Sequence, residues 1–207
     1  MLRLEFLGAG LAAAVTFSAS YGYADGSSAG SDEFSARLSG FNEIGSISAT
    51  GYTGAVLSNG SGTVKLDLDR KAGTIAYTLT YSNVGTTPPN TGTVLFAHIH
   101  FGKSRDSGGI LVFFCTNVTP FTGTGPTPSS CKTDSTGSGT VSGTWTAANV
   151  QKIAGQNVNA GDFSALVDAL DSNTAYANIH TTPSYPGGEI RGQCRSEDRE
   201  HQGDQDD

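Results

Sequence analysis

The run Thr63-Val64-Lys65-Leu66-Asp67-Leu68-Asp69-Arg70-Lys71-Ala72-Gly73-Thr74-Ile75-Ala76-Tyr77-Thr78-Leu79-Thr80-Tyr81 alternates apolar and polar residues on both sides of a short turn. Side chains two apart along a strand point to the same face. Val64, Leu66 and Leu68 therefore form one apolar stripe, and Ile75, Tyr77, Leu79 and Tyr81 form another. Joined by Arg70-Lys71-Ala72-Gly73, the two runs predict an antiparallel hairpin. Asp67 and Asp69 fall on its opposite face, beside a basic turn, and read as solvated strand surface.

The same period extends outward from the hairpin. Phe34, Ala36 and Leu38 share one face of a first strand. Further strands are expected at Phe96–Phe101, Ile110–Phe114, Thr140–Trp145, Ala175–His180 and Glu189–Gln193. The segment from Val84 to Thr93, with Pro88 and Pro89, is a loop, and so is the polar stretch from Gly102 to Gly109. One segment breaks the period. Phe163, Leu166, Val167 and Leu170 fall at i, i+3, i+4 and i+7, which predicts a short helix near 161–171. A further helical turn is expected after Thr146 as N-cap. No internal repeat is evident. With 28 glycines, 15% charged and 36% hydrophobic residues in 207, the composition also favours many short strands and turns. The expected fold is all-β, an antiparallel β-sandwich with one helical excursion.

The chain is expected to divide into a signal peptide (1–24), a flexible linker (25–32), one domain (33–194) and a disordered acidic tail (195–207). The leader has Arg3, an apolar run from Leu7 to Phe17, and small residues with Ser20 or Ala24 as cleavage points. That run is shorter than the ~20 apolar residues a membrane span needs, and no other stretch qualifies. The mature chain is thus expected to be exported, to the outside, the periplasm or the cell surface, without a membrane span. The tail holds no apolar residue and contains His201, read as solvated. A net charge of -7 argues against a nucleic-acid partner, because phosphate binding needs basic surface.

The chemistry centres on Phe96-Ala97-His98-Ile99-His100-Phe101 and Tyr176-Ala177-Asn178-Ile179-His180. In each, small or branched apolar residues alternate with histidine, so the imidazoles share one face and Ala97 and Ile99 the other. Imidazole suits copper and zinc, and three histidines leave an open position on the ion. His98, His100 and His180 are the candidate metal ligands. The alternative is structural, with Asn178 and Thr181 as hydrogen-bond partners of the rings.

In Tyr185-Pro186-Gly187-Gly188-Glu189-Ile190-Arg191-Gly192, Pro-Gly-Gly reads as a tight turn. Glu189 and Arg191 then share a strand face, where they pair with each other or Glu189 orients a histidine ring. Asn178, Glu189 and Arg191 are the expected supporting groups. No Gly-x-Ser-x-Gly elbow, phosphate-binding glycine loop or Cys-x-x-Cys occurs, and no catalytic residue is assigned. Asn59 and Asn117 match the glycosylation acceptor pattern. Cys115, Cys131 and Cys194 allow three pairings. Closing 115–131 would pin a Thr/Pro/Gly/Ser-rich loop, worth ~3 kcal/mol in the chain-entropy model.

Taken in order, these motifs resemble the CHRD domain, found in chordin and in bacterial exported proteins. Phe34-Ser-Ala-Arg-Leu-Ser-Gly-Phe-Asn-Glu43 resembles its opening strand, and Ala97-His-Ile-His-Phe-Gly102 its central signature. Gly108-Gly-Ile-Leu-Val112, Ala175-Tyr-Ala-Asn-Ile-His-Thr181 and Tyr185-Pro-Gly-Gly-Glu-Ile-Arg-Gly192 resemble the strands that follow. The resemblance covers about 33–194. It implies an extracellular binding or structural module with a protein partner, and it favours the Cys115–Cys131 disulfide, leaving Cys194 free. A more distant similarity is to copper–zinc superoxide dismutases, which use a His-x-His pair on a sandwich strand as copper ligands. The chain lacks their dense histidine and aspartate cluster and has too few histidines for four copper ligands and a bridge. Three functional readings follow: a secreted module with a mononuclear metal site, a copper- or zinc-dependent redox enzyme with Arg191 attracting an anion, and an adhesion or matrix protein.

Overall fold

A computed structural model of the chain describes residues 32–44, 54–89 and 91–197. The expected leader, nearly all of the linker, and His201 with the rest of 198–207 lie outside the described residues. Nine strands and one α-helix follow in order: β1 Glu33–Ser39, β2 Ser61–Asp69, β3 Thr74–Ser82, β4 Thr93–Phe101, β5 Gly109–Thr116, β6 Gly139–Trp145, α1 Phe163–Asp171, β7 Ala175–Thr182, β8 Tyr185–Gln193 and β9 Arg195–Ser196. They form one antiparallel sheet in the order β5-β4-β7-β8-β1-β2-β3-β6, with β9 added to β1.

The hairpin is in the register its apolar stripes require. Val64 faces Leu79, Leu66 faces Tyr77, and Leu68 faces Ile75. These side chains are buried while Lys65, Asp67, Ala76 and Thr78 between them are exposed. The all-β antiparallel expectation therefore holds, in the form of a single sheet that curls until its end strands nearly meet. Side chains bridge the seam between β5 and β6. The Trp145 indole donates to the Phe113 carbonyl at 2.8 Å, and the Tyr77 hydroxyl donates to Phe114 at 3.1 Å. Tyr77 stacks on Trp145 with ring centres 4.3 Å apart, and Phe114 packs against both. Aromatic rings thus shield two edges that would otherwise present unpaired backbone.

The helix forms where the 3.6 period placed it. Asp162 caps it by accepting from the Ala165 amide at 3.2 Å. Leu166, Ala169 and Leu170 are buried, with Phe163 and Val167 packed at the margin of the core. The turn after Thr146 is a 3-10 helix, Ala147–Asn149. Cys115 and Cys131 are disulfide-bonded, and Cys194 is free and buried. Asn117 clamps the loop they close, donating to Val94 and accepting from the Cys131 amide.

Two sequence expectations are corrected. Pro186-Gly187-Gly188 is strand, not turn: the chain reverses at Pro183-Ser184, and β8 already begins at Tyr185. Gly188 instead answers to close packing. It has φ +126°, and a Cβ there would strike the Glu43 carboxylate and the Asn178 amide. The chain also stays in the sheet beyond 194. Arg195 pairs with Ser35 and Ser196 with Phe34, and Ser196 is buried although the segment carries no apolar side chain.

Candidate functional site

Alternation along β4 sends Ala97 and Ile99 into the core and turns Phe96, His98 and His100 to the other face of the sheet. On β7, Ala177 and Ile179 enter the core, leaving Tyr176, Asn178 and His180 on that same second face. The antiparallel register sets Phe96 opposite His180, His98 opposite Asn178, and His100 opposite Tyr176. The ring of His98 lies 4.3 Å from that of His100 and 4.6 Å from that of His180. One nitrogen from each of the three histidines falls within 4.8 Å of the others. A metal bound at 2.0–2.1 Å to all three would need them ~3.3–3.6 Å apart, so separations of up to 4.8 Å must close by as much as about 1.5 Å.

This second face is itself buried. His98 is 1% exposed and His180 7%. Phe96 stacks on His98 and Phe113 meets it edge-on, with ring centres 5.0 and 5.3 Å away. Tyr176 stacks on His100 at 4.7 Å, nearly parallel, and the Arg191 guanidinium lies 3.3 Å over the centre of the Tyr176 ring.

The hydrogen bonds fix the tautomer of His100. Nδ1 of His100 faces the Gly108 carbonyl at 2.7 Å, and Nδ1 of His180 faces the Pro186 carbonyl at 2.9 Å. A carbonyl only accepts, so Nδ1 of His100 carries the proton and its Nε2 presents a lone pair, whereas His180 meets an acceptor at each ring nitrogen, Pro186 at Nδ1 and Asn178 at Nε2. Gly108 must be glycine for this approach, because a Cβ there would collide with the Phe101 backbone. Nε2 of His100 and Nδ1 of His98 are buried without a hydrogen-bond partner.

Nε2 of His180 lies 2.8 Å from the Asn178 side-chain oxygen, whose amide nitrogen points to Glu43 at 3.3 Å. A neutral ring has one N–H and cannot donate to both Pro186 and Asn178. The network is short of one positive centre at Nε2. Protonation would supply it, but burial holds the imidazoles neutral. Burial, with His100 and His180 nearby, keeps His98 well below the ordinary histidine range. Burial pushes His100 and His180 down to about 4, against the opposing pull of the Gly108 and Pro186 carbonyls.

The structure thus brings His98, His100, His180 and Asn178 together, and sets Arg191 one aromatic ring away. It does not bring Glu189. The expected Glu189–Arg191 pair gives way to separate partners. Glu189 is fully buried and accepts from Ser58 (2.6 Å), the Gly85 amide (3.0 Å) and Thr181 (2.8 Å). Thr181 therefore serves Glu189 rather than a histidine. Arg191 donates through Nη2 to the carbonyls of Lys103 (2.8 Å) and Asp106 (2.9 Å). The bulge between Ile179 and Thr181 and the extended Pro-Gly-Gly segment separate the two environments. Sequence reasoning missed Tyr176 and Glu43. Tyr176 was within reach, since period two places it on the face of Asn178 and His180. Glu43 sits 135 residues from Asn178 and carries no local signal.

A barrel-like all-β domain with a three-histidine cluster on the outer face of two strands, His98 and His180 buried and His100 half-buried, is the class that fold and site define. The family model of the CHRD domain matches residues 34–194, and the chain belongs to that family. No curated protein and no solved structure matches it.

Proposed function

We propose that this chain is an exported CHRD-domain binding module that holds one copper or zinc ion at His98, His100 and His180. The observation that carries the reading is the pair of buried, partnerless nitrogens, Nδ1 of His98 and Nε2 of His100, beside the Nε2 of His180, which lies 2.8 Å from the Asn178 side-chain oxygen. Leaving polar atoms so buried costs about 1–3 kcal/mol each unless something binds them. The donor set is three neutral imidazoles, which suits copper or zinc rather than calcium or magnesium. The Gly108 and Pro186 carbonyls orient the rings from outside, as supporting groups do in histidine metal sites. When bound, the ion would tie β4 to β7. Export is supported by the leader-like start and the disulfide. Among the described residues no helix is long and apolar enough to cross a membrane. An extracellular protein is the partner this reading implies.

The test is metal content after reconstitution with copper or zinc and removal of free ion. About one equivalent is expected, falling to background in His98→Ala and His180→Ala. Cu(II)-loaded protein should show hyperfine coupling to imidazole nitrogens in its paramagnetic resonance spectrum. Failure of the wild-type chain to retain either ion would sink the proposal. Superoxide turnover by the loaded protein would shift the reading to the redox alternative.

A further inference from the structure

Four of the chain's seven arginines converge on a single cavity of about 530 Å³. Arg37, Arg105, Arg191 and Arg195 line it together with Phe41 and Glu43. Three of the four rise from one sheet face. In Arg191-Gly-Gln193-Cys-Arg195, alternation buries Gly192 and Cys194 on the core side and turns the arginines to the other. On β1, Ser35 pairs with Arg195 and Ser39 with Arg191, which brackets Arg37 between them. The fourth comes from the loop after β4. Arg191 Nη2 binds the carbonyls of Lys103 and Asp106, on either side of Arg105, and so holds that loop at the cavity.

Arg70 shows what a structural arginine looks like in this protein. It pairs with Asp32 at 2.7 Å and Asp171 at 2.9 Å. The carboxylate beside the cavity arginines, Glu43, also accepts from its neighbour's amide at Ile44 and from Asn178. Four guanidiniums gather at a cavity lined by one carboxylate, with Asp106 close enough to act on Arg191, in a chain whose net charge is -7. Folding uses Arg191 to hold the Lys103–Asp106 loop. An oxyanion gains a great deal, because the guanidinium fork matches carboxylate, sulfate and phosphate in a bidentate manner. The cavity has the volume of a small-molecule site, and Phe41, 69% exposed, offers a ring face beside the charges.

We propose that this cavity binds a small ligand bearing a carboxylate, sulfate or phosphate group, held by Arg37, Arg105 and Arg195, with its carbon skeleton on Phe41. Arg191 is the positioning residue that fixes the Arg105 loop. The proposal does not rest on a metal at the histidines, and the two can fail separately.

The test is titration calorimetry of the full chain with inorganic sulfate, inorganic phosphate and glucuronate, at ionic strength matched with chloride. Saturable binding of at least one is expected, and whichever binds identifies the oxyanion. The double variant Arg37→Ala, Arg105→Ala alters exposed side chains and should keep the wild-type melting curve. It should weaken binding about tenfold or more, as expected for losing a charge-assisted hydrogen bond. His98→Ala should bind the anion as wild type does. Phe41→Ala should weaken glucuronate while sparing sulfate. No saturable binding of any probe, or undiminished binding in the double arginine variant, would overturn the site. Equal weakening of sulfate and glucuronate in Phe41→Ala would overturn the role given to Phe41.

Discussion

The two halves of the sheet treat their outer faces in opposite ways. Along β2 and β3, buried and exposed residues alternate, with apolar side chains inside and Lys65, Asp67 and Thr78 in water. Along β7, every residue from Ala175 to Thr181 is buried, and β8 is buried from Gly188 to Gly192. The first half follows the usual rule for an antiparallel sheet with one wet face. The second half buries a polar face made of Asn178, His180, Glu189 and Arg191. Such groups are costly to bury unless each finds a partner. Most do, but two histidine nitrogens and the Gln193 side-chain oxygen do not. A half-sheet that departs from the inexpensive pattern this far is where function is to be sought.

Acid should break the contrast most strongly. His100 and His180 have folded-state values of about 4, below the 6.5 of an unfolded chain, so the unfolded state takes up protons first. Stability is therefore full above about pH 6.5 and lost as pH falls toward 4, on the order of 3 kcal/mol for each ring. Urea unfolding of the metal-free chain between pH 7 and 4 should show this loss, and a flat profile would refute it. Glu189→Ala comes next. It leaves the donors of Ser58, Gly85 and Thr181 without their acceptor and should cost about 3 kcal/mol, read as a shift in unfolding midpoint. Arg191→Ala should cost about 2 kcal/mol, from two lost carbonyl bonds and the contact with Tyr176, and should speed amide exchange at residues 103–106. On the other half, Lys65→Ala and Thr78→Ala should each stay within about 0.5 kcal/mol of wild type. A larger change there would mean that the hairpin's outer face is not simply solvated.

The legibility of the sequence follows the same division. Val64 to Tyr81 could be read residue by residue, because a strand with one wet face writes its period into the hydrophobic pattern. His98, His100 and His180 could be grouped by the same rule. Glu189 and Arg191 could not. Their spacing suggested a pair on one face, but the bulge in β7 and the straight run through Pro186-Gly187-Gly188 send them to different neighbours. Pro186-Gly187-Gly188 has the composition of a turn, whereas Gly188 serves a close approach to Glu43 and Asn178. Arg195 has no apolar neighbours to mark it as part of the fold, yet backbone pairing to β1 needs none.

The sequence alone determined the strand periods, the helix from Phe163, the shared face of His98 and His100, and membership of a recognisable domain type, because each depends on spacing along a few residues. Only the tertiary structure decided which nitrogens of the histidines are left without partners, that Glu43 reaches Asn178, and that Arg37, Arg105, Arg191 and Arg195 surround one cavity. Those facts depend on strand order and register across the whole chain, where residues more than a hundred positions apart become neighbours.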